Sequence, residues 1–329
     1  MKNKIKKVVT IGGGSGQFVL LSGLKNIKEI SISAIVSMVD SGGSTGRLRD
    51  ELGILPPGDI LKCILALSSF GETARKILQT RFKNDDRLQG HNAGNMLLTV
   101  LSQYTGNFPA GVKALSEILA VKGKILPVTI NKATLVAELT DGSRLYGESA
   151  IDVPRGNQRE KIKDVFLVPH HNDSIKVYPP VIKAIKEADY IIIGPGDIYT
   201  SIVPNFLVSG VKKALSQSKA KLIYVANIMT KFGETDNFCG HDFVSEIEQF
   251  IKKKLDLVIF NSQKPSENIL KKYAGQKAYF VEAIEKNKWQ GKVIIKKDLL
   301  DVAGGVVRHD PKKLSGMISQ IINNKNYVD

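Results

Sequence analysis

The chain reads as an α/β protein with a Rossmann-like, doubly wound and mainly parallel sheet that carries a small antiparallel β insert. Three observations predict this. Short β-branched apolar runs recur and stop at Gly, Asp or Asn, as strands buried on both faces do. Stretches of helical spacing separate them, which is the alternation of a doubly wound sheet. Between about Leu126 and Leu167 that rhythm gives way to alternating apolar and polar positions.

In chain order, strands are expected at Lys7–Ile11, Ile30–Val39, Asp189–Ile193, Lys221–Ala226 and Leu255–Phe260. Helices are expected at Gln17–Lys25, Asp59–Ser68, Gly94–Tyr104, Leu207–Ser216, Phe243–Lys254 and Pro311–Ile322. Within the insert, Ala133–Leu139 and Ser143–Tyr146 flank Asp141-Gly142, the sequence of a β-hairpin. No fixed-period repeat and no Gly/Ser- or Pro-rich linker divides the chain, so residues 1–329 read as one domain with the insert at about 126–167.

Composition narrows the class. Of 329 residues, 43% are hydrophobic and 24% charged, a globular mix that excludes wholesale disorder and collagen-like repeats. Only Cys63 and Cys239 are present, far apart, which argues against a disulfide scaffold and for a reducing cytoplasm. No run of about 18 apolar residues predicts a membrane span. Lys and Arg exceed Asp and Glu by 47 to 32, a net +15. The lysines are spread along the whole chain and aromatics are 7%, which argues against a nucleic-acid partner.

The polar clusters share an address, just past a predicted strand or at a helix start. Gly12-Gly-Gly-Ser-Gly16 joins the first strand to a helix, so Gly13, Gly14, Ser15 and Gly16 are candidates for a phosphate-binding turn. Gln17 stands where the third glycine of a dinucleotide fingerprint would fall. Asp40 ends the second strand, where a ribose is held in Rossmann proteins. After it, Gly42, Gly43 and Ser44 can form an anion nest with Arg47 or Arg49 as charged partners. Asp59 has the position of an N-cap, and it is also a candidate magnesium ligand together with Asp40. His91, Asn92 and Asn95 crowd the start of another helix, where caps and ligand contacts look alike. Gly194, Gly196, Thr200 and Ser201 follow the Tyr190–Ile193 strand, and Asn227, Thr230 and Asn261 follow the later ones. In open α/β sheets this carboxyl edge is where ligands bind, so one nucleotide-like pocket is expected. Zinc spacing, a nucleophile elbow and a P-loop are all absent.

Six segments, Gly12–Gly16, Asp40–Asp50, Pro56–Asp59, Gly90–Asn95, Gly194–Ser201 and Gly305–Asp310, together closely resemble the YvcK family, the bacterial gluconeogenesis factors. That family is similar to the 2-phospho-L-lactate transferases (CofD-like proteins) of deazaflavin cofactor synthesis. The resemblance runs from about Lys6 to Ile322 with the motifs in the same order. It implies a cytoplasmic regulatory protein that binds a UDP-sugar, notably UDP-N-acetylglucosamine (UDP-GlcNAc). It also implies a need for this protein in gluconeogenic growth, cell shape and peptidoglycan synthesis, with a protein partner in cell-wall synthesis. By the same likeness Tyr273 and Arg308 are nucleotide-sugar contacts. An arginine fork suits a diphosphate, and a tyrosine can stack on a base. Many relatives carry two adjacent aspartates where this chain has Asp40-Ser41, and some carry a phosphorylatable threonine where this chain has Pro311.

Two other readings stand beside the sensor. One is a magnesium-dependent transferase of a phosphate-linked group, using Asp40 and Asp59. The other is an NAD-binding oxidoreductase, suggested by Gly12–Gly16 and Asp40 and weakened by Gln17. The sequence leaves a monomer and a homo-oligomer equally open.

Overall fold

A computed structural model describes residues 5–70, 72–83, 88–170, 174–283, 289 and 291–323, the side chains of 49–52 excepted. In chain order the strands are β1 (Lys6–Gly12), β2 (Ile30–Val36), β3 (Lys124–Pro127), β4 (Ala133–Leu139), β5 (Arg144–Tyr146), β6 (Ile162–Pro169), β7 (Tyr190–Ile193), β8 (Lys221–Val225), β9 (Leu257–Asn261), β10 (Val293–Lys297), β11 (Leu300–Asp301) and β12 (Arg308–His309). The first helices are α1 (Gly14–Leu24), α2 (Gly43–Leu52), α3 (Gly58–Leu67), α4 (Glu72–Gln79) and α5 (Ala93–Tyr104).

Seven strands form one sheet in the order β10-β9-β8-β7-β1-β2-β3, and every adjacent pair is parallel. Its centre is apolar without alternation. All four residues of β7 and all five of β9 are buried, as helices on both faces require. Each fully buried Ile or Leu there contributes ~1.5–3 kcal/mol. The chain turns from β1 toward β2 on one side and later fills β7, β8 and β9 on the other. The order therefore reverses beside β1, and that switch point opens a crevice at the carboxyl edge.

β4, β5 and β6 form a separate antiparallel sheet in the order β5-β4-β6, and β11 pairs with β12 in a two-stranded ribbon. The α/β class and the antiparallel insert thus stand as expected, with four corrections. Leu126 belongs to β3 of the main sheet, so the inserted sheet begins at Ala133. The second strand stops at Val36 and not at Val39. The glycine-rich loop after Asp40 is short, because α2 starts at Gly43. The helix expected over Leu207–Ser216 is two helices, Val203–Leu207 and Val211–Gln217, parted at Gly210 where φ is +102°. Among the described residues no helix is long and apolar enough to cross a membrane.

Candidate functional site

The switch-point crevice is a cleft of about 890 Å³, within the range of small-molecule sites. Its floor is the turn between β1 and α1. Gly14 has φ +64°, and a Cβ at Gly16 would collide with the Pro195 carbonyl oxygen, so both positions require glycine. The close approach this allows locks the β1 turn to the loop after β7. Asn227 fixes that loop from the next strand by accepting the Gly196 N–H at 3.0 Å. The Gly14 N–H is taken by Asp59 Oδ2 at 2.8 Å. Among the described residues the N–H groups of Ser15 and Gly16 have no acceptor, so the α1 N-terminus still presents donors to an anion. Gln17 is buried and donates to Thr10 Oγ1 at 3.1 Å and to the Ile35 carbonyl at 3.0 Å. A side chain that pins helix to sheet thus fills the place of a dinucleotide fingerprint's third glycine.

On the β2 side the cleft is acidic. Asp59 is not the N-cap of α3, a position held by Pro57. Its carboxylate instead bridges Gly14 N–H and the Lys62 ammonium, the latter at 2.8 Å. Asp40 Oδ1 accepts the Gly42 N–H at 2.9 Å. Burial first, then the charge of Asp59, push the Asp40 carboxyl above the usual carboxylate range. Glu148, on the short helix Glu148–Asp152 of the insert, joins them and accepts the Ser41 N–H at 3.4 Å. Burial, followed by the charges of Asp40 and Asp152, raises it to about 7. Lys62 pairs with Asp59, and the charges of Asp59 and Asp40 hold its ammonium above the usual lysine range against the cost of burial.

In the middle of the cleft stands a node that sequence reasoning missed. Lys231 Nζ contacts Asp152 of the insert, Asp197 after β7 at 2.7 Å and Glu234 at 3.1 Å. Glu234 is buried and also accepts from Thr200 Oγ1 at 3.2 Å. Burial lifts its carboxyl to about 7 even beside Lys231. Oxygens of the three carboxylates lie within 4.8 Å of one another, and the lysine fills the space between them. Asp197 sits inside the Gly194–Ser201 segment already singled out, and Lys231 and Glu234 follow Thr230 within four residues, so a signal was present. Asp152 carried none.

The far end, toward β8 and β9, carries Tyr273, Val307, Arg308 and His309. The Tyr273 hydroxyl accepts the Val307 N–H at 2.8 Å and so holds the strand that presents Arg308. Arg308 is exposed, and its guanidinium makes no ion pair among the described residues. His309 is buried, which pulls its imidazole down to about 4, and it donates to the Ala226 carbonyl. Its Nε2 has no hydrogen-bond partner. Thr230 lines the cleft while clasping Tyr279, accepting its N–H at 2.8 Å.

The expected site residues therefore divide. Gly13, Gly14, Ser15, Gly16, Asp40, Asp59, Gly196, Thr200, Ser201, Asn227, Thr230, Tyr273 and Arg308 line the main cleft. Gly42, Gly43, Ser44, Asn92 and Asn95 line a second recess beside it, which Asp40 and Lys62 also border. His91 is buried behind that recess, sharing a 2.9 Å hydrogen bond with Ser44 Oγ. Three residues are placed elsewhere. Asn261 ends β9 by accepting from Leu299 N–H at 3.0 Å and donating to the Gln263 carbonyl, a strand-end clasp. Gly194 is buried and donates to the Ile11 carbonyl. Arg47 reaches the Gln89 carbonyl on the surface. The Arg49 side chain lies outside the described residues.

The chain is similar to known proteins over nearly all its length. Residues 8–300 match the model of the 2-phospho-L-lactate transferase CofD family. A gluconeogenesis factor of Bacillus subtilis is 39% identical over 318 residues, covering 96% of this chain and 98% of that one. One from Listeria innocua is 39% identical over 322 residues, 97% of each. A crystal structure of a Bacillus halodurans protein superposes with a TM-score of 0.89 at 38% identity, covering 96% of this chain and all of the other.

Proposed function

The chain belongs to the 2-phospho-L-lactate transferase CofD family and is homologous to its gluconeogenesis factors, and on that premise we propose that it is a cytoplasmic regulatory protein that binds UDP-GlcNAc in the switch-point cleft. The observation that carries this is the pairing of two anion-seeking features across one cleft. Unpaired N–H groups of α1 meet a diphosphate at the floor, and the unpaired Arg308 fork reaches it from the β12 side. Tyr273 offers a ring to the base or sugar beyond. Occupancy would tie the insert, β8 and β12 together, and that shared contact is how a bound sugar would alter a partner's surface. Support of gluconeogenic growth, cell shape and peptidoglycan synthesis belongs to this reading, with a cell-wall protein as partner.

Calorimetric titration of the full chain with UDP-GlcNAc, NAD and GDP tests it. Saturable UDP-GlcNAc binding without turnover is expected. Preferential NAD or GDP binding sinks it.

One observation favours a second reading, a magnesium-dependent transferase. Asp40 and Glu148 are held above their ordinary range by burial first and then by neighbouring carboxylates, Asp59 acting on Asp40 and Asp40 on Glu148, and a divalent cation relieves such an excess. The donor set is all carboxylate oxygen, which suits magnesium. Asp40 and Glu148 would hold the ion, with Asp59 turning an oxygen from Lys62, and a bound ion would neutralise phosphate charge. Product release from a phosphodiester donor, abolished in Asp40→Asn, is the result that would favour it.

A further inference from the structure

The cleft holds an apolar surface that its anion-seeking features do not use. Among the described residues Tyr273 shares the cleft wall with one other benzene ring, Phe232. Phe232 stands on the loop after β8, and two contacts bring that loop against the insert. Lys231 pairs with Asp152, and Pro154 lies on Gly233, where an added Cβ would come within 2.5 Å of the proline Cγ. The intervening residues, Val153 and Phe232, therefore meet at one stretch of the wall, and both line the cleft. Val153 is 64% exposed and Phe232 is half-buried. Apolar surface left open to water inside a cleft is surface that a ligand can cover.

The Phe232 ring is also held still. Lys277, which does not line the cleft, places its ammonium 4.6 Å from the ring centroid. The same ammonium donates to the Asn157 carbonyl of the insert, and the Lys277 backbone stands at φ +55°, a region that disfavours residues other than glycine. One part of the ring is thus occupied by a cation tied to the insert, while the rest borders the cleft. The hydroxyls of a sugar find no partner on Val153 or on Phe232. A nucleobase suits them better, because its faces are flat and apolar and its polar groups lie on its edge.

We propose that Phe232 is the platform on which the base of the bound nucleotide stacks, with Val153 of the insert packing beside it. This deepens the nucleotide-sugar reading and rests on it for the class of ligand. With the base on Phe232, the Tyr273 ring is left for the sugar. The insert then takes part in recognising the base, through Val153 directly and through Asn157 by way of Lys277.

The test combines calorimetry and fluorescence on the full chain. Phe232→Ala is expected to weaken UDP-GlcNAc binding about tenfold, the usual loss when an aromatic platform is removed from a base. N-acetylglucosamine 1-phosphate, which lacks the base, is expected to behave alike with this variant and with the parent. Val153→Ser, at an exposed position, is expected to weaken UDP-GlcNAc about threefold. In Phe232→Trp, UDP-GlcNAc is expected to quench the introduced indole beyond any change that Trp289 shows in the parent, with the midpoint found by calorimetry. If Phe232→Ala does not fold, Phe232→Trp and Val153→Ser decide alone. The proposal is overturned if Phe232→Ala binds UDP-GlcNAc as the parent does, if it weakens both ligands equally, or if Phe232→Trp binds UDP-GlcNAc without quenching. UDP-GlcNAc bound by the parent with no response at residue 232 sinks this subsite and leaves the proposed function standing. No UDP-GlcNAc binding, with GDP or NAD quenching the indole of Phe232→Trp, sinks the proposed function and leaves the base platform standing.

Discussion

At the β2 end of the cleft, Asp40, Asp59 and Glu148 crowd together and Lys62 pairs with Asp59 alone, whereas at the β9 end a single guanidinium faces the same space with no ion pair among the described residues. The acidic end is crowded by packing: α3, the β2 loop and the insert's helix each contribute one carboxylate, and burial then drives two of them toward their neutral forms. The β9 end holds its polar groups apart. Tyr273 is spent on Val307, His309 on Ala226, and Arg308 alone remains charged and open. Under the proposed function a diphosphate in the cleft would meet repulsion on one side and attraction on the other, and that asymmetry would set the direction of a nucleotide sugar. Burial acts in opposite directions at the two ends, raising a carboxylic acid and lowering an imidazole, and in both cases it favours the uncharged form.

The comparison can be broken at the node that keeps the ends apart. Lys231→Met leaves Asp152, Asp197 and Glu234 facing one another without the cation that sits between them, and removing one partner of a buried pair costs about 3 kcal/mol. Thermal unfolding should show Tm lower by about 5 °C, and an unchanged Tm would mean that the lysine is dispensable. A smaller effect is expected at the open end. Arg308→Ala should weaken UDP-GlcNAc binding by about tenfold to thirtyfold, ~1.4–2 kcal/mol, with little change in stability. Equal affinity by titration calorimetry would remove Arg308 from the site.

The smallest effect sharpens the acidic end. Glu148 keeps its proton in the folded chain up to about 7, while the unfolded chain loses it near the ordinary 4.5. Folding stability therefore falls as pH rises through that window, and Glu148→Gln removes the loss. The variant should be more stable than the parent by about 1 kcal/mol at about pH 8, with the gap closing near pH 4. His309 runs the other way, since its folded value of about 4 lies below the ordinary 6.5 and stability falls as pH drops between them. A urea-denaturation series across pH reads both signs, and a Glu148→Gln advantage that persists at pH 4 would refute the assignment.

The β1 and β7 strands and the glycine turns were legible because each is a continuous apolar run broken by residues with one structural use. Within the main sheet, the strands that were not, β3 and β10, are its two edge strands. β3 is Lys-Ile-Leu-Pro, and β10 exposes Val293, Lys296 and Lys297, so both lack the signature of a doubly buried strand. Within the site, Asp40, Gly16 and Asn227 announced themselves by standing at strand ends. Glu148 did not, because it meets Ser41 across 107 residues of chain, and only the docking of the insert makes that contact. Asn261 stood at a strand end like the others, but its side chain closes the chain on itself. Residue type marks the edge where ligands bind, and tertiary approach decides which polar groups at that edge are left over for one.

The Lys231 node has a consequence for how the insert and the sheet stay joined. Carboxylates from three separate segments converge as they do around many bound metal ions, but the positive charge between them is part of the chain. A tethered cation cannot be chelated, exchanged for a competitor or diluted away. The wall of the cleft is therefore complete as soon as the chain has folded, and chelators should leave this joint intact whatever the metal supply of the cell.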